Sequence, residues 1–507
     1  MGQHMEEIEG IYSEVHDAQT QYGRLLWTQY TAGYDFGLKD QYQKITSLLK
    51  NEKSYELVRE ALETEQDPLN KRKLQLVDNL FKPYHLSQSL NELDEEIQGK
   101  VSDLSKLLNQ FRYTFQGKEV SSVELGQVMS RDEDKNRRRE AFFAKNQINQ
   151  PMIDAGFLDL ISLRKTYAKE YGSANYIAHQ LEMNELDEDI FSNWLPELHQ
   201  SLPAMEKARA GFAEQFLHED RILPWDEQYI DAKIAPLLNQ EVDMSDYFGN
   251  INKLFSLFGF DISSYNITYD IFPRKNKSEW GYNFPIETAK DSRILANVKN
   301  KFHEYGVLLH ETGHAVHSFL LDPEELILNT GVSGIISEGI ANLFQGFLYS
   351  PQFSGSFISG SDGAAEQFSR LKEYRKTNSL RAISRIFFDH SFYLNEASSL
   401  DDVYQLYWKN HREVLQEEPF GDEPPWAFTI HYTTHPIYLH NYFMGDVTCE
   451  MLKGVFEKKH GNGLLADPEA FGSFLLNEVI RPSGSLKFGE LFKRISGEEF
   501  SLKFMRS

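Results

Sequence analysis

Five consecutive residues, His310-Glu311-Thr312-Gly313-His314, carry the clearest chemistry in the sequence. Two histidines four positions apart share one face of a helix, so both imidazoles can reach a single metal ion. The Glu between them is turned off that face but stays beside the metal, where a base must stand to take the proton of an attacking water. A catalytic zinc wants three protein ligands and one open position, so a third ligand has to come from elsewhere. Glu338 is the candidate. It lies 24 residues beyond His314, in Ser337-Glu338-Gly339-Ile340-Ala341-Asn342, after a glycine-bearing loop that lets a second helix return beside the first. Ser337 reads as the N-cap of that helix. Asn342, one turn past Glu338, reads as the acceptor of a ring N–H from a ligand histidine. The set implies one Zn2+ per chain.

The competing reading is a helix whose histidines are merely satisfied in a polar groove. Its flanks speak against that: Tyr305-Gly306-Val307-Leu308-Leu309 and Ala315-Val316 are largely apolar, and a buried His-Glu-His cluster without an ion is hard to satisfy. Gly313 costs the helix about 1 kcal/mol in propensity and predicts that something packs closely against it.

A second constellation is His431-Tyr432-Thr433-Thr434-His435-Pro436-Ile437-Tyr438-Leu439-His440-Asn441-Tyr442. Pro436 suits the first turn of a helix capped by Thr434 or His435, which places Tyr438 and Tyr442 inside that helix, one turn apart. Phenol and imidazole donors so grouped can hold a peptide carbonyl and the oxyanion that develops on it. The plainer reading is an aromatic stripe filling the core.

The elements that must position these groups are mostly helical. From Glu6 to about Phe216 the chain reads as successive amphipathic helices, with Val101, Leu104, Leu108 and Phe111 on one face. Pro68, Pro83, Pro151 and Pro203 are the expected boundaries. Ile267, Tyr269 and Ile271 alternate, and Ser292 to Val298 reads as extended, so a small sheet is expected between about 265 and 298. Helices resume at about His303, interrupted by loops at Asn329 to Gly334 and Ser354 to Gly363.

Bulk properties exclude several function classes. The 507 residues carry 76 acidic and 52 basic side chains, a net charge of -24, with no Lys/Arg-dense stretch, which argues against nucleic acid as a partner. A single cysteine, Cys449, allows neither an internal disulfide nor a thiolate metal cluster. The first residues, Met1 to Tyr12, lack the apolar core of a secretory signal, and no run of about 18 apolar residues occurs. These features point to a cytoplasmic chain without a membrane partner.

At the His310–His314, Glu338–Asn342 and His431–Tyr442 segments the sequence resembles the thimet oligopeptidase and oligoendopeptidase F family, and also the angiotensin-converting enzyme family. The stretch from Leu160 to Tyr176, with Arg164, Ala168, Gly172 and Tyr176, is similar to the oligopeptidases more weakly. The resemblance implies a mostly α, two-lobed peptidase fold with a deep substrate cleft and a small β-sheet next to the zinc helix. One lobe would span about 1–200 and the catalytic lobe about 201–507. It also implies His310, His314 and Glu338 as zinc ligands and Glu311 as base. His431 would be a carbonyl donor, Tyr442 the oxyanion donor, Tyr438 a substrate contact, and His435 a substitute for His431. Asn342 stands where the converting enzymes have Asp. Thr429 and His440 stand where those enzymes have the Lys and Arg that help hold a substrate carboxylate and chloride; Arg274, Lys275 and Lys277 are the nearest other cations. The expected activity is hydrolysis of internal bonds in short, unfolded peptides. Removal of residues from a C-terminus by the same site is the alternative, and a non-catalytic peptide binder is the rival from another class. The oligomeric state is not legible.

Overall fold

In the computed structural model, which describes residues 3–278, 281–351, 353–354 and 363–505, the chain is mostly helical with two small sheets. It forms two units built from interleaved segments. The first comprises Met1–Ser87, Asn239–Gly360 and Thr448–Phe500, the second Gln88–Leu238, Ser361–Val447 and Ser501–Ser507. The lobes expected at about 1–200 and 201–507 cut the chain differently, because the first 87 residues pack with the zinc-motif segment.

In the first unit a long helix, Gln3–Ala32, lies against the strand Tyr282–Glu287. Trp27 and Tyr30 meet Phe284 edge-on at 5.4 and 5.5 Å. That strand is the edge of a three-stranded sheet whose middle strand is Asp291–Leu295. The middle strand runs antiparallel to Tyr282–Glu287 and parallel to Ile267–Asp270, with Ile267 opposite Ser292 and Asp270 opposite Leu295. The expected alternation of Ile267 and Tyr269 thus falls on a strand. Four of the middle strand's five residues are buried, as a strand covered on both faces should be.

The zinc-motif helix, Phe302–Leu320, packs on this sheet. It starts where Glu304 folds back to accept the backbone N–H groups of Lys299 and Lys301, each at 2.7 Å, which satisfies donors that a helix start leaves open. Tyr269 reaches across from its strand to Thr312 at 3.0 Å. The other side of the helix packs against Gly334–Gly346. There the expected close approach is found: a Cβ on Gly313 would stand 2.9 Å from the Ala341 Cα and 3.3 Å from the Phe344 ring.

In the second unit, Pro203 lies inside the helix Trp194–Leu217 and marks no boundary. By contrast, Pro68 opens the helix Pro68–Phe81 of the first unit behind an Asp67 cap. The helical reading of the N-terminal half also passes over a hairpin, Tyr113–Phe115 with Lys118–Val120. Its turn is Gln116-Gly117, with φ of +50° and +75°, a two-residue connection of the kind hairpins favour. Most of the expected loop from Ser354 to Gly363 lies outside the described residues. No described helix is long and apolar enough to cross a membrane.

The Gly313 contact sets two effects against each other. In an exposed helix, Gly313→Ala would gain about 1 kcal/mol of propensity. Here the new methyl meets a neighbouring backbone, and overpacking of this kind costs about 1–3 kcal/mol. Gly313→Ala is therefore expected to lower the urea midpoint; a rise would show that the two helices separate at little cost.

Candidate metal centre and ring cluster

The motif helix and the helix Gly334–Gly346 bring His310, His314 and Glu338 together. Their ligand atoms all lie within 4.8 Å of one another. Nε2 of His310 and Nε2 of His314 are 3.2 Å apart, and each stands 3.7 Å from an oxygen of Glu338. A tetrahedral zinc with bonds of about 2.0–2.2 Å separates its ligand atoms by about 3.3–3.6 Å. The observed spacings bracket that value, and two imidazoles with one carboxylate are a donor set zinc takes, so the residues present fit the ion.

Burial pushes the pKa of His310 down to about 4, opposed by the side chain of Asn342, and that of His314 down to about 3, with His310 and His317 adding to the effect. Both rings are therefore neutral at pH 7, the form that coordinates. Nδ1 of His314 meets the Ser337 hydroxyl at 2.8 Å. Ser337 is not the N-cap. That place belongs to Ser333, whose hydroxyl accepts the Ile335 N–H at 3.2 Å. Ser337 lies one turn inside the helix, free to orient a ligand ring. Asn342 stands beside the other ring as expected, acting on His310 as a hydrogen-bonding neighbour, although the buried Nδ1 closes no bond of full geometry.

Glu311 lies between the ligands in sequence and outside their triangle. Burial raises its pKa to about 7, with Glu338 adding to the rise and the backbone N–H of Asn283 opposing it. Gly281 lies beside this carboxyl, where a Cβ would stand 3.9 Å from its Oε1, an ordinary contact distance.

In the second unit His431, His435, Tyr438 and Tyr442 form a closed circuit of rings. Neighbouring centroids are 6.1 Å apart from His431 to His435, 6.2 Å to Tyr438, 5.4 Å to Tyr442 and 5.7 Å back to His431. His435 and Tyr442 are exposed and the other two half-buried. The cluster is thus not a core stripe. The helix carrying it differs from expectation. Residues His431–Thr434 form one turn, and the next helix begins at Leu439, so Tyr442 is helical and Tyr438 precedes the helix. The residue before a proline is driven out of the α region. His435 accordingly has φ −137° and ψ 61°, and Ile437 takes φ +54°. Burial, then His435 and Arg385, holds the His431 pKa below its ordinary value. His440 is fully buried, and burial with His390 pushes its pKa down to about 3, so it brings no charge for an anion. Arg274 and Lys277 are both engaged by Asp270.

No family model matches the chain, and no curated protein matches it. Solved structures do. An M32 carboxypeptidase from Deinococcus radiodurans R1 matches with a TM-score of 0.67 at 15% identity, over 100% of this chain and 98% of its own. The chain shares the fold of this M32 carboxypeptidase. Trypanosoma cruzi metallocarboxypeptidase 1 matches with a TM-score of 0.68 at 13% identity, over 99% and 98%. PZ peptidase A, solved with an inhibitor, matches with a TM-score of 0.67 at 15% identity, over 97% and 93%. At these identities the likeness is one of fold.

The hydroxyl on Nδ1 of His314 has a measurable consequence. Ser337→Ala is expected to weaken zinc binding by about 10–100-fold, the usual effect of removing a group that orients a ligand. Glu338→Ala, which removes a ligand, should weaken it further. Competition against a chelator of known affinity reads both; equal affinity of Ser337→Ala and the parent protein would make the serine a bystander.

Proposed function

We propose that the chain is a zinc-dependent peptidase acting on short, unfolded peptides, with His310, His314 and Glu338 as ligands and Glu311 as general base. The observation that carries this reading is the convergence of three ligand atoms at tetrahedral spacing, with a carboxyl group next to the first ligand in sequence. Zinc held there would supply polarisation of the scissile carbonyl and acidification of a water. Glu311 takes the proton of the attacking water and delivers it to the departing amine nitrogen. Asn342 and Ser337 keep the two ligand rings turned toward their common point. The family resemblance gives His431 to the substrate carbonyl, Tyr442 to the developing oxyanion, and Tyr438 and His435 to neighbouring parts of the peptide. The exposure of His435 and Tyr442 suits such contacts. A protein that only bound peptides would have no use for Glu311. One buried cysteine and a net charge of -24 suit a cytoplasmic setting without nucleic-acid partners.

For the mode of cleavage, removal of residues from a C-terminus is better supported than the internal cleavage expected from sequence. Three of the matching structures are carboxypeptidases. Within the second unit, Lys145 and Arg385 form no ion pair among the described residues. Lys145 lies over the Phe428 ring at 4.6 Å, and burial with the Arg385 charge lowers its pKa to about 8. Arg385 acts on His431 as well. Two cations without acidic partners suit a terminal carboxylate. Internal cleavage keeps one argument, the uncharged Thr429 at the position of a carboxylate-clamping Lys.

Glu311→Gln is expected to abolish turnover while zinc content stays at one per chain; normal turnover in that variant would overturn the assignment of the base. One peptide offered as free acid and as C-terminal amide decides the mode by product masses. The C-terminal reading predicts loss of most cleavage on amidation, and equal cleavage of both forms at an internal bond would contradict it.

A further inference from the structure

Buried polar contacts lie beneath the ring cluster, and the peptidase reading leaves them without a role. Arg164, 2% exposed, comes from the helix Phe157–Tyr171. It donates to the Tyr432 carbonyl at 3.1 Å, to the Tyr393 hydroxyl at 3.2 Å and to the Thr433 carbonyl. These carbonyls end the single turn His431–Thr434, where backbone acceptors have no partners within the helix. A few residues on, the Ile437 N–H donates to Oδ2 of Asp389 at 2.7 Å. Asp389, 1% exposed, comes from a different helix, Ile383–Leu394.

Ile437 is the point of strain. A β-branched residue at φ +54° is a genuine outlier, and such a conformation persists only where its surroundings dictate it. Here the restraints are a guanidinium before the proline turn and a carboxyl group after it. Apolar side chains would fill the same volume without the cost of burying a guanidinium and a carboxyl group, the latter with its pKa raised by burial to about 7. What these two side chains add is a single path for residues 432–437, and with it fixed places for the His435 and Tyr438 rings. Arg164 is close enough for its charge, after burial, to help hold the His435 pKa down.

We propose that Arg164 and Asp389 are positioning residues for the His431, His435, Tyr438 and Tyr442 cluster, holding the backbone from Tyr432 to Ile437 in a strained turn that sets where those rings meet the substrate. This rests on the assignment of the cluster to substrate made above, and goes beyond it by naming what sets its geometry.

Two readouts separate the inference from that assignment: the ring resonances of 13C-labelled histidine and tyrosine, which need no activity, and kcat/KM on a peptide. Asp389→Ala is expected to shift or broaden the His435 and Tyr438 resonances and to lower kcat/KM on the order of 100-fold, as misplacement of contacting groups does, while zinc content is unchanged. Asp389→Asn keeps an oxygen acceptor for the Ile437 N–H and is expected to restore both. If Asp389→Ala does not fold, the double variant Ile437→Gly with Asp389→Ala removes strain and restraint together; it is expected to fold, with loosened rings and low kcat/KM. Unchanged ring resonances in the alanine or double variant would overturn the inference, as would Asp389→Asn behaving like Asp389→Ala. Should the parent protein cleave no peptide, the peptidase reading falls and the ring resonances still decide the role of Asp389.

Discussion

The metal centre depends on how closely two helices can approach. His310 and His314 stand on one helix and Glu338 on the next, so their separation is set by the helix–helix contact. At Gly313 that contact leaves no room for a side chain, which would meet the backbone of Ala341. Close packing of protein interiors makes such spacings stiff, and a ligand triangle with edges of 3.2 to 3.7 Å tolerates little drift. Gly313 therefore does for the site what a ligand cannot do for itself: it fixes where the second helix runs.

The other side of the motif helix is held as firmly. The sheet strand bearing Tyr269 is tied to Thr312, and the carboxylate of Glu304 closes the helix start. Ligand rings that are half-buried and neutral lose water without losing a charge, which keeps the cost of assembling the cluster low. In the second unit the same principle runs the other way. A guanidinium and a carboxyl group are buried under the ring cluster, each hydrogen-bonded to the backbone on either side of Pro436, which offsets part of the cost of burying them.

What could be read from sequence follows from range. The spacing of His310 and His314 is local helical geometry, and Glu338 and Asn342 were legible because one helix after one loop has few places to go. Ser337 was misplaced because Ser333, four residues earlier, is an equally good cap, and only the three-dimensional path shows which serine faces His314. At Pro436 the sequence suggests a helix start because proline suits a first turn, whereas Ile437 takes an αL conformation with its N–H bonded to Asp389, 48 residues away. The Gln116-Gly117 hairpin carried its signal in the open, a glycine between alternating residues, and was lost in a helical stretch. The interleaving of the two units had no signal, since composition does not say which distant segments pack together.

The central claim is that one zinc is held by two imidazoles and one carboxylate. X-ray absorption at the zinc edge of the metal-loaded protein tests it most directly. The account predicts a four-coordinate site with nitrogen and oxygen scatterers at about 2.0–2.2 Å, including two imidazoles. A sulfur scatterer at about 2.3 Å, or a shell with no imidazole contribution, would contradict it.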